Sequence, residues 1–406
     1  MTQSIAKTKT FLDLEQRYAA HNYHPLPVVL ERAEGAYVWD VEGRRYLDCL
    51  AAYSAVNQGH NHPRIVAALS RQASRLALTS RAFHNDRFGP FCAKLCDLIG
   101  YEKVLLMNTG AEAVETAIKA ARRFGYRKRG VPKDSAEIVV FENNFHGRTT
   151  TIVGFSSDEG SRDGFGPFAP GFRSAPYGDL DAVRAVVNER TVAVLVEPIQ
   201  GEAGVVVPPP GFLPGLREIC DEAKALLICD EIQSGLGRAG AFLCHRDSGI
   251  RADGVILGKA LSGGLYPVSA FLADDEVMSV FTPGSHGSTY GGNPLACAVG
   301  EAALDVIVEE RLCERARRLG GEFLERLRRI RSPKILEIRG RGLWVGVELR
   351  KEAGGARPYC ERLIAEGFLC KDTHDHTIRI APPLVVEATE LERAAQALER
   401  VLDSGP

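Results

Sequence analysis

Three groups with chemical potential stand directly behind short apolar runs in this 406-residue chain. Lys259 follows Val255-Ile256-Leu257-Gly258 and precedes Ala260-Leu261-Ser262-Gly263-Gly264. Asp230 ends Ala225-Leu226-Leu227-Ile228-Cys229, and Asn108-Thr109-Gly110-Ala111 ends Val104-Leu105-Leu106-Met107. Runs of this kind read as buried strands, with the Gly/Ser stretch as the loop at a strand's end. Ligand crevices of open α/β sheets form at that carboxyl edge. An amine, a carboxylate and a turn rich in free N–H groups are what pyridoxal phosphate needs for its aldehyde, ring nitrogen and phosphate. Each piece also has a plainer reading. A lysine behind a strand can be a solvated rim residue, Asp230 can hold a turn, and Asn108 or Thr109 can simply cap the next helix.

The elements that must position these groups alternate between strand and helix. Between residues 103 and 260 the chain gives a strand at Val104–Met107, a helix at Glu112–Phe124, and a strand at Glu137–Phe141. Helix Leu180–Asn188, strand Val192–Val196 and helix Phe212–Leu226 follow, leading to the strands that carry Asp230 and Lys259. That order predicts a doubly wound, mostly parallel sheet, so the fold class is α/β. Residues 156–178, rich in Gly, Pro and Ser, read as a long ordered loop over the sheet. Phe145-His146-Gly147-Arg148, after the Glu137–Phe141 strand, offers ring stacking and carboxylate recognition, or ordinary loop packing.

Both chain ends read differently from this middle. A helix near Phe11–Ala20 and a hairpin, Ala36–Asp40 with Arg45–Cys49 about Glu42-Gly43, precede it. Pro63 opens a helix that carries Ile65, Val66, Leu69 and Leu76, and Asp86–Ile99 is a second. Beyond Lys259, helices are expected at Leu295–Glu309, Arg311–Ile330, Ala356–Glu366 and Ala388–Asp403, with strands at Gly342–Leu349 and Thr377–Ile380. The division is 1–55 and 311–406 as a smaller α+β domain built from both ends, and 56–310 as the large domain. The cleft between them is the expected ligand site.

Gly235-Leu236-Gly237-Arg238-Ala239-Gly240 matches the dinucleotide pattern GxGxxG. Asp230–Ser234 separate it from the buried strand, and no apolar-periodic helix follows, so the match is rejected.

With Lys+Arg 50 against Asp+Glu 52, the formal charge is -2, and neither nucleic acid nor an anionic membrane is indicated as a partner. The 10 cysteines show no paired CxxC motifs and sit mostly in apolar context, as buried thiols of a reducing compartment do. His60/His62 and His374/His376 lack a third ligand at a recognisable spacing, so no metal is expected. No presequence or membrane-length apolar run is apparent, and the expected location is cytoplasmic.

Longer stretches carry a resemblance from about Tyr18 to the C-terminus. They include His21-Asn22-Tyr23-His24-Pro25-Leu26-Pro27, Tyr53-Ser54-Ala55-Val56-Asn57-Gln58-Gly59-His60 and Asp163-Gly164-Phe165-Gly166-Pro167-Phe168. Val196-Glu197-Pro198-Ile199-Gln200-Gly201-Glu202-Ala203-Gly204-Val205, Asp230-Glu231-Ile232-Gln233, Leu257 to Gly264, and His286 to Pro294 add to them. The chain resembles the class III, fold-type I pyridoxal-phosphate aminotransferases, in the branch that acts on ornithine.

The resemblance implies roles. Lys259 would carry the cofactor's aldehyde and move the substrate proton, Asp230 would partner the ring nitrogen, and Gln233 would donate to the phenolic oxygen. Gly110 and Ala111 would hold the phosphate, Phe145 would stack on the ring, and Ser288 and Thr289 would complete the cofactor set. Thr289 would reach the neighbouring subunit's site, which implies a homodimer. On the substrate side, Arg148 and Tyr23 would hold the α-carboxylate of ornithine, with Tyr53 lining the same side. Arg379 would take the α-carboxylate of glutamate or 2-oxoglutarate, and Glu202 would neutralise Arg379 while the cationic substrate is bound. The implied reaction moves the δ-amino group of L-ornithine to 2-oxoglutarate. The alternatives are an acetylornithine or 4-aminobutyrate aminotransferase, or, more remotely, a non-enzymatic binding protein on the same fold.

Overall fold

The computed structural model describes residues 4–404. Its centre is a seven-stranded sheet in the order Lys103–Met107, Ser269–Ala273, Gly254–Leu257, Leu226–Asp230, Thr191–Val196, Glu137–Phe141, Phe172–Ala175. Only Ser269–Ala273 runs antiparallel to its neighbours. The central strands are buried along their whole length, which is why their sequences are continuous apolar runs rather than alternating ones. Two strands of this sheet escaped the sequence reading. Phe172–Ala175 lies within the stretch expected to be loop, where it pairs parallel with Glu137–Phe141 at the sheet's edge. Ser269–Ala273 is fully buried but begins with small residues behind a Gly/Pro loop.

Helix Gly110–Lys128 packs on the sheet with small residues, Ala113, Ala117, Ala120 and Ala121, all wholly buried. Pro63–Ala73 begins on its proline as expected, but ends before Leu76, which is exposed.

The chain's two ends meet. A second sheet has the order Leu30–Glu34, Tyr37–Asp40, Arg45–Asp48, Phe368–Leu369, in which the last pair is parallel. A third contains Ile335–Gly340, Val345–Leu349, Thr377–Ile380 and Lys371–Thr373. The expected strand from Gly342 starts at Val345, because Gly342 adopts φ +61°. All ten cysteines are free. Among the described residues no His/Cys/Asp/Glu group is placed to hold a metal, and no helix is long and apolar enough to cross a membrane.

Directly beneath the sheet's carboxyl edge lies an enclosed hydrogen-bonded carboxylate–histidine pair. Glu231 accepts from the backbone N–H and the Nδ1 of His245, each at 2.8 Å, and from Ser234 Oγ at 2.7 Å. Burial opposes the Glu231 charge, but the His245 partner overrides it and holds the carboxyl below its usual range. Because the folded-state value is depressed, this contribution is present above the unfolded carboxylate range and is lost as pH falls through the folded one. His245→Phe removes the Nδ1 donor from a buried carboxylate that keeps the residue-245 N–H and Ser234 Oγ, and urea unfolding of this variant should show a loss of about 1–3 kcal/mol.

Candidate active site

The sheet's carboxyl edge opens into two adjoining cavities. The inner one, about 190 Å³, is lined by Gly110, Ala111, Phe145, Asp230, Gln233 and Lys259, among others. The outer one, about 340 Å³, adds Arg148 and Glu202 and shares Phe145. Residues scattered from 110 to 259 thus meet because their strands all end on the same side.

Lys259 begins a tight turn with φ 44°, after Gly258. Burial pushes its amine below the ordinary lysine value and Arg379 acts the same way, while Glu202, Asp230 and Glu197 oppose the shift. Asp230, 4% exposed, accepts from His146 Nδ1 at 2.7 Å and from the Ile232 N–H at 3.0 Å. Burial alone would lower the His146 imidazole, but the Asp230 carboxylate reverses this and raises it. Glu197, buried beside them, accepts the Phe145 N–H at 3.0 Å, and burial pushes its carboxyl up to about 7.

At the helix N-terminus the cap is formed, and the first-turn amides are left over. Thr109 caps Gly110–Lys128 in a reciprocal box, accepting from the Glu112 N–H at 3.2 Å while its own N–H donates to Glu112 Oε2 at 2.8 Å. The Gly110 and Ala111 amides, in the first turn, have no intrahelical acceptor and face the inner cavity.

Gln233 is 7% exposed, and its Nε2 has no protein acceptor. A buried donor left open costs about 1–3 kcal/mol, so its position on the cavity wall points to a bound acceptor. Its approach depends on Gly201, where a Cβ would overlap both Gln233 Oε1 and the Trp344 ring. An amine, a carboxylate, two free amides and an open amide donor around one cavity fit the aldehyde, ring nitrogen, phosphate and phenolic oxygen of pyridoxal phosphate.

On the substrate side, Arg379 and Glu202 form an ion pair at 2.6 Å. Arg379 is 1% exposed, with its Nε unpartnered, and its guanidinium lies 4.8 Å from the Tyr53 ring centroid. Tyr53 stands in a run of left-handed residues, Ala51 to Ser54, with φ between 46° and 72°. Burial raises the Tyr53 hydroxyl, against the pull of Arg379, with a smaller upward contribution from the nearby Tyr23. Tyr23 itself is exposed at the rim and lines neither cavity. Arg148 lies over the Phe145 ring, 5.5 Å from its centroid.

Ser288 accepts from Asn108 Nδ2 at 2.9 Å, beside the phosphate end of the site. Thr289 is exposed on the following loop and does not line the inner cavity of its own chain. The contacts of His146 with Asp230 and of Phe145 with Glu197 went unread in the sequence. Glu197 ends a buried strand as Asp230 does and was findable on that signal; the His146 contact, across 84 residues, had none.

The chain belongs to the class-III aminotransferases: the family model matches residues 18–402. Ornithine aminotransferase of Bordetella pertussis is 57% identical over 389 residues, covering 96% of this chain and 94% of that protein. The structure of ornithine aminotransferase from Toxoplasma gondii superposes with a TM-score of 0.96 at 44% identity, over 98% of this chain and 94% of that one. Acetylornithine aminotransferase from Elizabethkingia anophelis gives 0.89 at 45% identity, over 98% and 99%.

Proposed function

We propose that this chain is a pyridoxal-phosphate-dependent ornithine δ-aminotransferase, converting L-ornithine and 2-oxoglutarate to glutamate 5-semialdehyde and L-glutamate. The observation that carries the reading is the Arg379–Glu202 pair, whose Glu202 lines the outer cavity that shares Phe145, His146 and Gly147 with the cavity of Lys259. A site that alternates between a cationic diamine and a dicarboxylate needs an arginine that can be switched off and on, and Glu202 supplies the switch.

Pyridoxal phosphate, when bound, supplies the carbonyl that receives the amino group and the ring that draws electrons from the adjoining C–H bond. The Gly110 and Ala111 amides would hold its phosphate, Phe145 would cover the ring, and Gln233 Nε2 would donate to the phenolic oxygen. Asp230, oriented by His146, would keep a proton on the ring nitrogen. Lys259 would hold the aldehyde and serve as the base that takes the proton from the substrate's δ-carbon. Its lowered basicity keeps part of the population neutral and able to do so. Arg148, with Tyr23 and Tyr53, anchors the α-carboxylate of ornithine, which leaves the δ-amine to reach the reacting end. When the dicarboxylate enters, Glu202 releases Arg379, and the freed guanidinium binds the α-carboxylate.

The division into 1–55 with 311–406 and 56–310 is our reading of the two domains, with the substrate cleft between them. The active unit is a homodimer in which the exposed Thr289 completes the phosphate site of the neighbouring subunit. This is supported by its position next to Ser288 and by the half-exposed Tyr290.

The likeness to an acetylornithine enzyme favours one second reading, the acetylated substrate. The two are separated by kcat/KM for L-ornithine and N-acetylornithine on the purified holoenzyme. A preference for ornithine by at least about tenfold is expected, because the acetyl group removes the α-ammonium charge and adds bulk that the site was not built to hold. A preference for N-acetylornithine, or turnover of neither, rejects the assignment.

A further inference from the structure

The glycine-rich turn Gly235–Gly240, which fails the context of a dinucleotide fingerprint, holds the most deeply buried guanidinium of the fold. Arg238 is 0% exposed and has no carboxylate in hydrogen-bond contact. Its Nη1 donates to the carbonyls of Leu343 and Pro382, both at 2.7 Å, and its Nη2 donates to Asn57 Oδ1 at 2.6 Å. Burial pushes the group down to about 9 against a smaller opposing pull from Asp48, and its Nε finds no acceptor among the described residues.

The three acceptors lie next to the substrate-side machinery. Pro382 is three residues past Arg379, Asn57 is four past Tyr53, and Leu343 precedes Trp344, whose ring packs over Gly201 beside Glu202. Asn57 closes the circuit, because its Nδ2 donates to the Leu236 carbonyl at 3.0 Å while its own carbonyl accepts from the Leu384 N–H at 2.8 Å. The glycines let the turn lie flat on this seam. A Cβ at Gly237 would stand 2.7 Å from the Leu384 side chain, and one at Gly342 would stand 2.5 Å from the Arg238 carbonyl.

We propose that Arg238 is a positioning residue for the dicarboxylate half of the reaction, fixing the backbone that carries Arg379 relative to the turn that carries Gln233. This rests on the reading of Arg379 as the dicarboxylate's arginine. A lysine cannot replace the fork, since one ammonium does not reach three acceptors held in planar array.

The test compares wild-type, Arg238→Lys and Asn57→Ala holoenzymes. The readouts are the KM values for ornithine and 2-oxoglutarate, and the Kd of glutarate, an unreactive dicarboxylate, by calorimetry. In Arg238→Lys the KM for 2-oxoglutarate and the glutarate Kd should rise about tenfold or more, with the KM for ornithine changed by less than about threefold. Asn57→Ala should give the same split, smaller. A fall in melting temperature with both KM values and the glutarate Kd unchanged, or a parallel rise of both KM values, overturns the proposal. If Arg238→Lys does not fold, Asn57→Ala decides by the same criteria. A wild-type enzyme inactive on ornithine that still binds glutarate defeats the functional reading, while the glutarate comparison still judges Arg238. Wild-type protein that binds no glutarate defeats both.

Discussion

Replacing Lys259 with alanine is expected to lower ornithine turnover by at least about 10⁴-fold, since in the proposed function it is both the amine that carries the cofactor and the base that moves the proton. Melting temperature should change by no more than a few degrees, because the lysine's Nζ makes no hydrogen bond within the fold that its loss would leave open. Pre-steady-state mixing with ornithine measures the first half-reaction directly. A loss of less than about tenfold would mean that another group serves as base. The pH profile carries a second part of the same expectation. Burial depresses the Lys259 amine, so the neutral form is reached below the ordinary lysine value of about 10.4, and the acid limb of kcat should lie below that value. Placing the limb at or above it would contradict the role of the buried site.

The second large effect belongs to Glu202→Ala. With the carboxylate gone, Arg379 meets the incoming ornithine as an uncompensated cation, and kcat/KM for ornithine should fall about 10²-fold, close to 3 kcal/mol by the tenfold-per-1.36 rule. The same arginine is then permanently available to carboxylates, so the KM for 2-oxoglutarate should fall or stay level. Some ornithine should also enter with its α-carboxylate on Arg379, shifting amine removal from the δ to the α position, which product analysis would detect. Equal losses for both substrates would reject the switch. At neutral pH the device is constant. Burial works against the Glu202 charge, but Arg379, Lys259 and Arg148 outweigh it and hold the carboxyl below its usual range. The carboxylate is therefore anionic above that range, and the ornithine preference should be flat from about pH 6 to 8.

What was legible in the chain follows burial. Strands such as Leu226–Asp230 and Gly254–Leu257 are buried on both faces, so their sequences announce them, and the reactive residue at each end came with them. Two edge strands did not announce themselves. Phe172–Ala175 has only one fully buried position, and Leu30–Glu34 has none, so neither carries an apolar run to read. The substrate-side residues Tyr23, Tyr53, Arg148 and Arg379 came from resemblance, since a single arginine in a strand has no local sign of its partner. The Arg379–Glu202 pair joins positions 177 residues apart, a contact created by packing alone. The Arg238 fork was invisible for the same reason: its acceptors are mostly backbone carbonyls, which every sequence contains.

The parallel pairing of Leu47 with Phe368 bears on how the molecule is made. The central sheet is complete once Ala273 has emerged from the ribosome, and units formed early in synthesis fold first. The N-terminal hairpin, made earlier still, keeps one edge open until residue 368 arrives, and an open edge is a template for wrong partners. Tyr53 and Arg379 face each other only after that late closure. A nascent chain can therefore acquire its cofactor pocket well before it can choose a substrate, and ribosome-bound chains halted before residue 368 are where a protective chaperone would find its target.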